Sequence, residues 1–410
     1  MVHMGLLAEQ TIGKQEIGRS EEFSLVLGGP LYRLLLRSKL VQPPLGHLGW
    51  RIGVITSLAW LPLIALTIVG GRFVDGVKVP FLYDFEVHAR LLFALPLLVF
   101  AELIVYIRMR AIVPQFIERR IVTDDIRSNF NAIISSAIGL RDSLLAEITL
   151  LLLVILVGSH VWRLSLALQS DTWYGTVSSS TLNYTAAGYW YAFVSVPVFQ
   201  FILLRWYYRI IIWCRFLFQV SRLDLNLIAL HPDRCCGLGF LGNVVSSFAP
   251  LLMAHSGIVA GYIANRILHE GATLPDYRFD LLSMAALLLA IVLGPLCVFI
   301  PKLNRARLAG LRTYGGLASD YVVGFAEKWT RDANGVSTNP QNEPLWGSAD
   351  IQSLADLANS FAIVKEVKLV PFGRDTAIRF LVVIAIPVAP LALTMFSPEE
   401  LLKRLITVVL

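Results

Sequence analysis

Seven stretches of the chain are continuous in Leu, Ile, Val, Ala and Phe, at roughly residues 51–70, 89–107, 147–166, 188–213, 239–264, 280–301 and 378–396. A hydrocarbon core of about 30 Å takes about 20 helical residues at about 1.5 Å each, so every stretch is long enough to cross. None alternates apolar and polar positions with period two, as strands of a membrane β-barrel would. The pattern predicts an all-α, polytopic integral membrane helical bundle of about seven transmembrane helices.

The polar stretches between them are unequal. Residues 108–146 keep apolar positions at helical spacing, and Thr123 followed by Asp124 and Asp125 suits a helix start with negative charge in its first turn. Residues 302–330 also read as helix, and 331–347 carry the turn pairs Asn-Gly, Asn-Pro and Glu-Pro. The sequence "SADIQSLADLANSFAIVKEV" then resumes helical spacing with Ser348 or Asp350 as N-cap. The expected organisation is an amphipathic N-terminal segment at 1–50 and a bundle at 51–301 with extensions at 108–146 and 214–238. A helical segment at 302–377 and a last span at 378–410 complete it. In the first part, "EEFSLVLGGPLYRLLLRSKL" offers Arg33, Arg37 and Lys39 to anionic headgroups, as a helix lying on a membrane surface would, or packs as a helix on the rest of the cytosolic layer. Glu9, Glu16, Glu21 and Glu22 argue against a cleavable signal peptide, which leaves the first span as the expected insertion signal.

Composition agrees with the pattern. Hydrophobic residues make up 56% of the 410 and charged residues 16%, and the mean hydropathy is +0.65. The net charge of +6 is concentrated in alternate connections, including Arg108, Arg110, Arg119, Arg120, Arg215, Arg222, Lys302, Arg305, Arg307 and Arg312. Residues 167–187 hold no Lys or Arg, and 265–279 hold two Arg against Glu270 and Asp276. By the positive-inside rule the basic segments face the cytoplasm, with the amino terminus inside. The charge is thus a topology signal, and no nucleic-acid partner is expected. Cys214, Cys235, Cys236 and Cys297 all fall on that cytoplasmic side, so four free thiols are expected.

The densest chemistry is "HPDRCCGLGFLG" at 231–242. Gly237, Gly239 and Gly242 spell G-x-G-x-x-G, but the strand that a dinucleotide fingerprint needs does not precede them. With Gly257 and Gly261 they are expected to mark close helix packing. His231, Asp233, Cys235 and Cys236 are all of ligand type, yet four ligands within six residues, two of them adjacent, fit poorly round one tetrahedral ion. A turn is the expectation, with Pro232 ending one helix, Asp233 capping the next and His231 at the carboxyl end of the fourth span's extension, without metal or cofactor.

Charges inside the spans are functional hypotheses, because burial in hydrocarbon is costly. Glu102 and Arg205 both fall in the predicted inner third and could pair, and His160 and His255 are expected toward the outer half. Alternatively, Arg205 and Arg209 snorkel among Trp206, Tyr207 and Tyr208, and each histidine is a neutral hydrogen-bonding group between helices.

The 231–242 stretch, with "GSADIQSLADLANSFAIVKEVKLVPF" at 347–372, resembles a group of uncharacterised bacterial polytopic membrane proteins carrying an HPD-x-x-GGLGFL signature and a DIQSLADL segment. The resemblance spans most of the chain and implies a multi-pass bacterial inner-membrane protein, with no chemistry attached. Cys235 and Cys236 stand where that pattern has a small residue and Gly, which speaks against a ligand role for them.

The leading expectation is channel- or transporter-like passage of an ion or small solute, resting on Glu102, His160, Arg205 and His255. A membrane-embedded enzyme with a cytoplasmic-face site at His231 and Asp233, joined by Asp350 and Asp356, is the alternative, as is a scaffold that requires only helix packing. Asp350 and Asp356 are six apart, about 240° round a helix, so they are not expected to share a site. No Walker A, H-E-x-x-H or G-x-S-x-G motif occurs. The expected partners are the lipid bilayer, an ion or small solute, and a second copy of the chain.

Overall fold

The computed structural model describes residues 23–158, 172–178, 181–329, 345 and 347–395. Five helical runs are long and apolar enough to cross a membrane: Leu48–Val69, Phe85–Glu118, Ala186–Arg222, Phe240–Glu270 and Leu274–Trp329. A sixth candidate is the pair Arg374–Ala385 and Ala389–Met395, bent by 55° around Pro387, whose missing N–H cannot continue the helical ladder. The third apolar stretch begins as the helix Leu144–Leu156, and its remainder from residue 159 lies outside the described residues, as does most of the 331–347 break. The protein is therefore an all-α, polytopic membrane bundle. Its one described sheet is a small antiparallel hairpin of β1 (Gly175–Ser178) and β2 (Thr181–Tyr184), with Gly175 opposite Tyr184.

The helices used below are α1 (Gly29–Arg37), α2 (Leu48–Val69), α3 (Leu95–Met109), α4 (Ile112–Glu118), α5 (Arg127–Arg141), α6 (Leu144–Leu153) and α7 (Val196–Arg222). They continue as α8 (Phe240–Val245), α9 (Ala249–Glu270), α10 (Arg278–Leu293), α11 (Ile300–Trp329), α12 (Ala349–Lys365) and α13 (Arg374–Ala385). Two of the rods contain a widened turn for a visible reason. Pro96 and Pro197 each occupy the second residue of an α-helix, and each follows a π-helical segment, Ala89–Ala94 before α3 and Tyr191–Ser195 before α7. A proline ring crowds the carbonyl four residues back, here Leu92 and Phe193, and a wider turn accommodates it.

Aromatic side chains fill the centre. Trp206, Trp213 and Phe216 of α7 are fully buried, and Phe216 stacks on Phe23 at 5.0 Å while Phe130 of α5 lies 6.3 Å away. Small residues bring α9 against the π-helical segment: a Cβ on Gly257 would meet the Phe93 ring at 2.4 Å, and one on Gly261 would meet the Ala89 side chain at 2.5 Å. That is the close approach expected of them.

One end of the bundle, the basic end, carries α4, α5, the long continuation of α11 and the returning α12. Thr123 precedes a 3-10 turn, Asp124–Ile126, that leads into α5. Ser348, not Asp350, caps α12, its hydroxyl accepting from the Ile351 N–H at 3.4 Å. The far end is formed by residues 72–84, the β1–β2 hairpin and the 271–277 connection.

The N-terminal segment departs from expectation. Among the described residues of the stretch at 21–40, the helix is limited to Gly29–Arg37, because Gly28 and Gly29 take φ of 127° and 86°. Residues 23–28 are non-helical, with Phe23, Leu25 and Val26 buried and the Ser24 carbonyl accepting from Arg141 at 2.6 Å. Their apolar side chains are used on protein, not on a lipid surface.

Candidate functional site

Three places concentrate polar chemistry. The first is the turn after α7, which ends at Arg222, ten residues before the expected stop at Pro232. Asp233 organises it: its carboxylate accepts from the N–H groups of Cys235 (2.8 Å), Gly237 (3.1 Å) and Gly239 (2.9 Å). Burial alone would raise its pKa, but those three N–H donors and the neighbouring His231 outweigh it and hold the carboxyl below the usual range. His231 does not cap α7 but faces Asp233, Nδ1 to Oδ1 at 2.9 Å. Burial and the Asp233 charge push the Cys235 and Cys236 thiols up to about 11 and about 12. Gly237 (φ 97°) and Gly239, packed on the Asp233 carboxylate, belong to this turn and not to helix packing as expected. Gly242 of α8 does serve packing, since a Cβ there would meet the Pro371 carbonyl at 2.3 Å. The turn is also tied to the α12–α13 connection through Lys368 N–H to the Arg234 carbonyl at 2.7 Å and Arg234 to Glu366 at 2.7 Å. Among the described residues, no three His, Cys, Asp or Glu side chains converge as metal ligands.

The second is a charge cluster at the basic end, marked by Arg51 near the start of α2 and Glu147 near the start of α6. Glu102 of α3 lies 2.9 Å from Arg209 and 3.1 Å from Arg51, but 3.9 Å from Arg205, its expected partner. Arg205 is held more closely by Glu147 at 3.2 Å, whose other oxygen accepts from the Leu31 N–H of α1 at 2.8 Å. Arg209 does not snorkel: it is 4% exposed and its guanidinium lies 4.9 Å from the Trp206 ring centre. Three arginines and two glutamates, touching one another, join α1, α2, α3, α6 and α7.

The third is a cavity of about 640 Å³ between the rod at 85–109, α7, α9 and α10. At its far-end mouth, Arg90 binds both Glu86 and the Tyr191 hydroxyl, joining the two π-helical segments. Buried Asp84 accepts from Trp173 Nε1 (2.8 Å), Asn265 Nδ2 (2.8 Å) and the Val87 N–H (3.2 Å). Arg266 pairs with Glu270 at 2.5 Å, and Lys78 stands exposed at the rim. At the bottom, His255 Nε2 lies 2.6 Å from the Tyr207 hydroxyl and Nδ1 lies 2.7 Å from the Leu251 carbonyl. The carbonyl can only accept, so Nδ1 donates to it, and Nε2 and the Tyr207 hydroxyl share the remaining hydrogen bond. Gln200 in the wall has a buried Oε1 without a partner. The other walls are apolar, including Phe199 and Leu203 of α7 and Met284, Leu288 and Ile291 of α10.

His255 sits fifteen residues from either end of the run Phe240–Glu270, midway along it. It meets Tyr207 and forms no bond to Glu102 or Arg205. His160 lies outside the described residues. His231 and Asp233 are together, but Asp350 is bound by Lys328 Nζ (2.6 Å) and Trp329 Nε1 (2.9 Å), and Asp356 meets Gln352 at 3.3 Å. Among the described residues, these two aspartates have no hydrogen bond or ion pair to each other or to His231 and Asp233. Sequence reasoning missed Asp84, Glu86, Arg90, Tyr191 and Gln200. The Glu86-x-x-x-Arg90 spacing at the edge of an apolar stretch was the available signal. It also missed Arg51, Arg209 as a buried group, and Glu147.

No family model, curated protein or solved structure matches this chain. Fold and sites together define a polytopic membrane protein of the helical-bundle class.

Proposed function

We propose that the bundle passes an ion or small solute, taken up in the cavity, in a bacterial inner membrane with the amino terminus in the cytoplasm. The observation that carries this reading is the cavity itself, a 640 Å³ space with ionised side chains at its mouth that reaches His255, midway along a membrane-spanning run. Ionisable groups at membrane depth are costly and are characteristic of solute paths. The Lys and Arg asymmetry puts the cavity mouth on the outer side and the charge cluster at the cytoplasmic side. The enzyme alternative is weakened by the use of Asp233, whose oxygens are engaged by three backbone N–H groups.

Purified protein in liposomes tests the proposal with gradients of H⁺, K⁺, Cl⁻ and glycine. The expectation is flux of at least one of them, lowered about tenfold or more by Arg90→Gln, because a hydrogen bond to a charged group contributes about 1.5–3 kcal/mol. Absence of flux under every gradient overturns it for these solutes.

A further inference from the structure

We infer that the cavity accepts an amphiphile with a zwitterionic head, which enters from the bilayer past α10. The inference rests on the cavity as the uptake site and names what occupies it.

Charge sets the head. The mouth holds three cations, Lys78, Arg90 and Arg266, and three anions, Asp84, Glu86 and Glu270, so its formal charges cancel. A ligand of net charge would leave one sign uncompensated at membrane depth, whereas a dipolar head finds both signs within one site. Arg90 is fixed by Glu86 and Tyr191, and Asp84 by Trp173 and Asn265, so these charges are pre-arranged.

Walls set the tail. From the level of Asn265 and Arg266 down to His255 is ten or eleven residues of α9, about 15 Å at 1.5 Å per residue. Between those levels the lining is Phe199, Leu203, Ile258, Val259, Met284 and Leu288, which offers hydrocarbon to a chain. The bottom is closed by Tyr207 and His255, which satisfy each other. A fully water-soluble solute would leave most of this length apolar against water.

Packing sets the route. α10 packs on α13 and supplies the cavity wall that faces α7 and α9. Leu282 of α10 is 65% exposed and lies outside the cavity lining, on a helix that belongs to a membrane-spanning run, so it faces lipid. One helix thus separates the cavity from the acyl chains, and a chain reaching the mouth from the bilayer need not cross water.

The experiment is ligand binding to the full-length protein in detergent, read by native mass spectrometry, with 12-carbon lysophosphatidylcholine as probe and glycerophosphocholine as the same head without a chain. Each methylene buried in an apolar wall favours binding several-fold, partly offset by the probe's affinity for detergent. The expected result is one lysophosphatidylcholine per chain, bound at least about tenfold more tightly than glycerophosphocholine. Leu288→Trp should weaken it about tenfold or more, and Leu282→Trp on the lipid side should leave it unchanged. Should Leu288→Trp fail to fold, Met284→Trp obstructs the same wall from a half-buried position. Equal affinity for the two probes, or a Leu282→Trp effect as large as that of Leu288→Trp, overturns the amphiphile. Glycine or ion flux in liposomes, with no lysophosphatidylcholine bound, likewise overturns it while leaving solute passage standing. Lysophosphatidylcholine binding of the expected pattern without flux of any small solute retains the amphiphile and removes the small-solute reading.

Discussion

At the basic end of the bundle, Arg51, Arg205, Arg209, Glu102 and Glu147 lie against one another, while at the far end three cations and three anions stand around a space of 640 Å³. The residue types are the same and the consequences differ. Charges in contact offset each other locally and tie helices together, which accounts for five elements meeting at the basic-end cluster. Charges around a space are held at its edge, Arg90 by Glu86 and Tyr191 and Arg266 by Glu270, and leave the space between them open. Burial of an ionisable side chain in a membrane helix therefore does not by itself mark a solute path, and what lies between the charges decides.

The comparison can be broken by removing one anion from each region. Glu102→Gln strands Arg51 and Arg209 and should cost about 3–5 kcal/mol, the usual penalty for opening a buried ion pair. Glu86→Gln at the cavity, where the glutamate side chain is 31% exposed, should cost no more than about 1 kcal/mol. Denaturant unfolding of the detergent-solubilised protein measures both, and equal losses would erase the distinction. Combining Glu102→Gln with Arg209→Gln should restore part of the loss, because one fewer charge is left uncompensated.

Helix packing provides a second contrast. Gly261→Leu should destabilise by about 1–3 kcal/mol, since the new side chain meets Ala89 where there is no room. A Cβ on Gly53 of α2 has no neighbour within 4 Å, so Gly53→Leu should leave thermal unfolding unchanged. A Gly261→Leu protein as stable as the parent would mean that α9 and the π-helical segment are not held as closely as described.

The spans were legible because twenty apolar residues in a row admit few alternatives to a membrane helix. The distinction between cluster and cavity was not. Glu102 and Arg205 stand out as charges in apolar stretches, but their nearest partners are Arg209 and Arg51 for the one and Glu147 for the other. Arg51 and Glu147 begin their helices, where a charge looks like an ordinary boundary residue. The cavity's residues hid for the same reason: Glu86 and Arg90 sit at the edge of an apolar stretch, and Tyr191 and Gln200 look like ordinary members of one. Three-dimensional convergence of α7, α9 and α10 has no periodic signature. The motif at 231–242 shows the opposite error, in which dense chemistry attracted attention to a turn whose Asp233 is engaged by its own backbone.

That turn yields the smaller effects. Asp233→Ala should cost about 0.5–2 kcal/mol, the range for a lost cap. Its carboxyl is held below the ordinary value of about 3.9, so the ionised form is favoured in the folded protein. The stability it contributes is present above about pH 3.9 and is lost as pH falls through the lowered folded-state value. The difference in unfolding free energy between the parent and Asp233→Asn should therefore shrink below that pH, and a constant difference would contradict the assignment. Smallest of all, Cys235 and Cys236, held protonated by burial and by Asp233, should react with maleimide at pH 7 far more slowly than a free thiol of ordinary pKa near 8.5. Rapid labelling of both would show that the turn opens.

The most direct measurement concerns Gln200, a residue of the cavity wall. In a chain with the four native cysteines replaced, Gln200→Cys should react with a membrane-impermeant methanethiosulfonate from the face that carries residues 72–84. It should not react from the basic face, where the Tyr207–His255 contact and the charge cluster intervene. Reaction from the basic face alone, or from neither face, would contradict a cavity that opens at the far end and is sealed midway through the bundle.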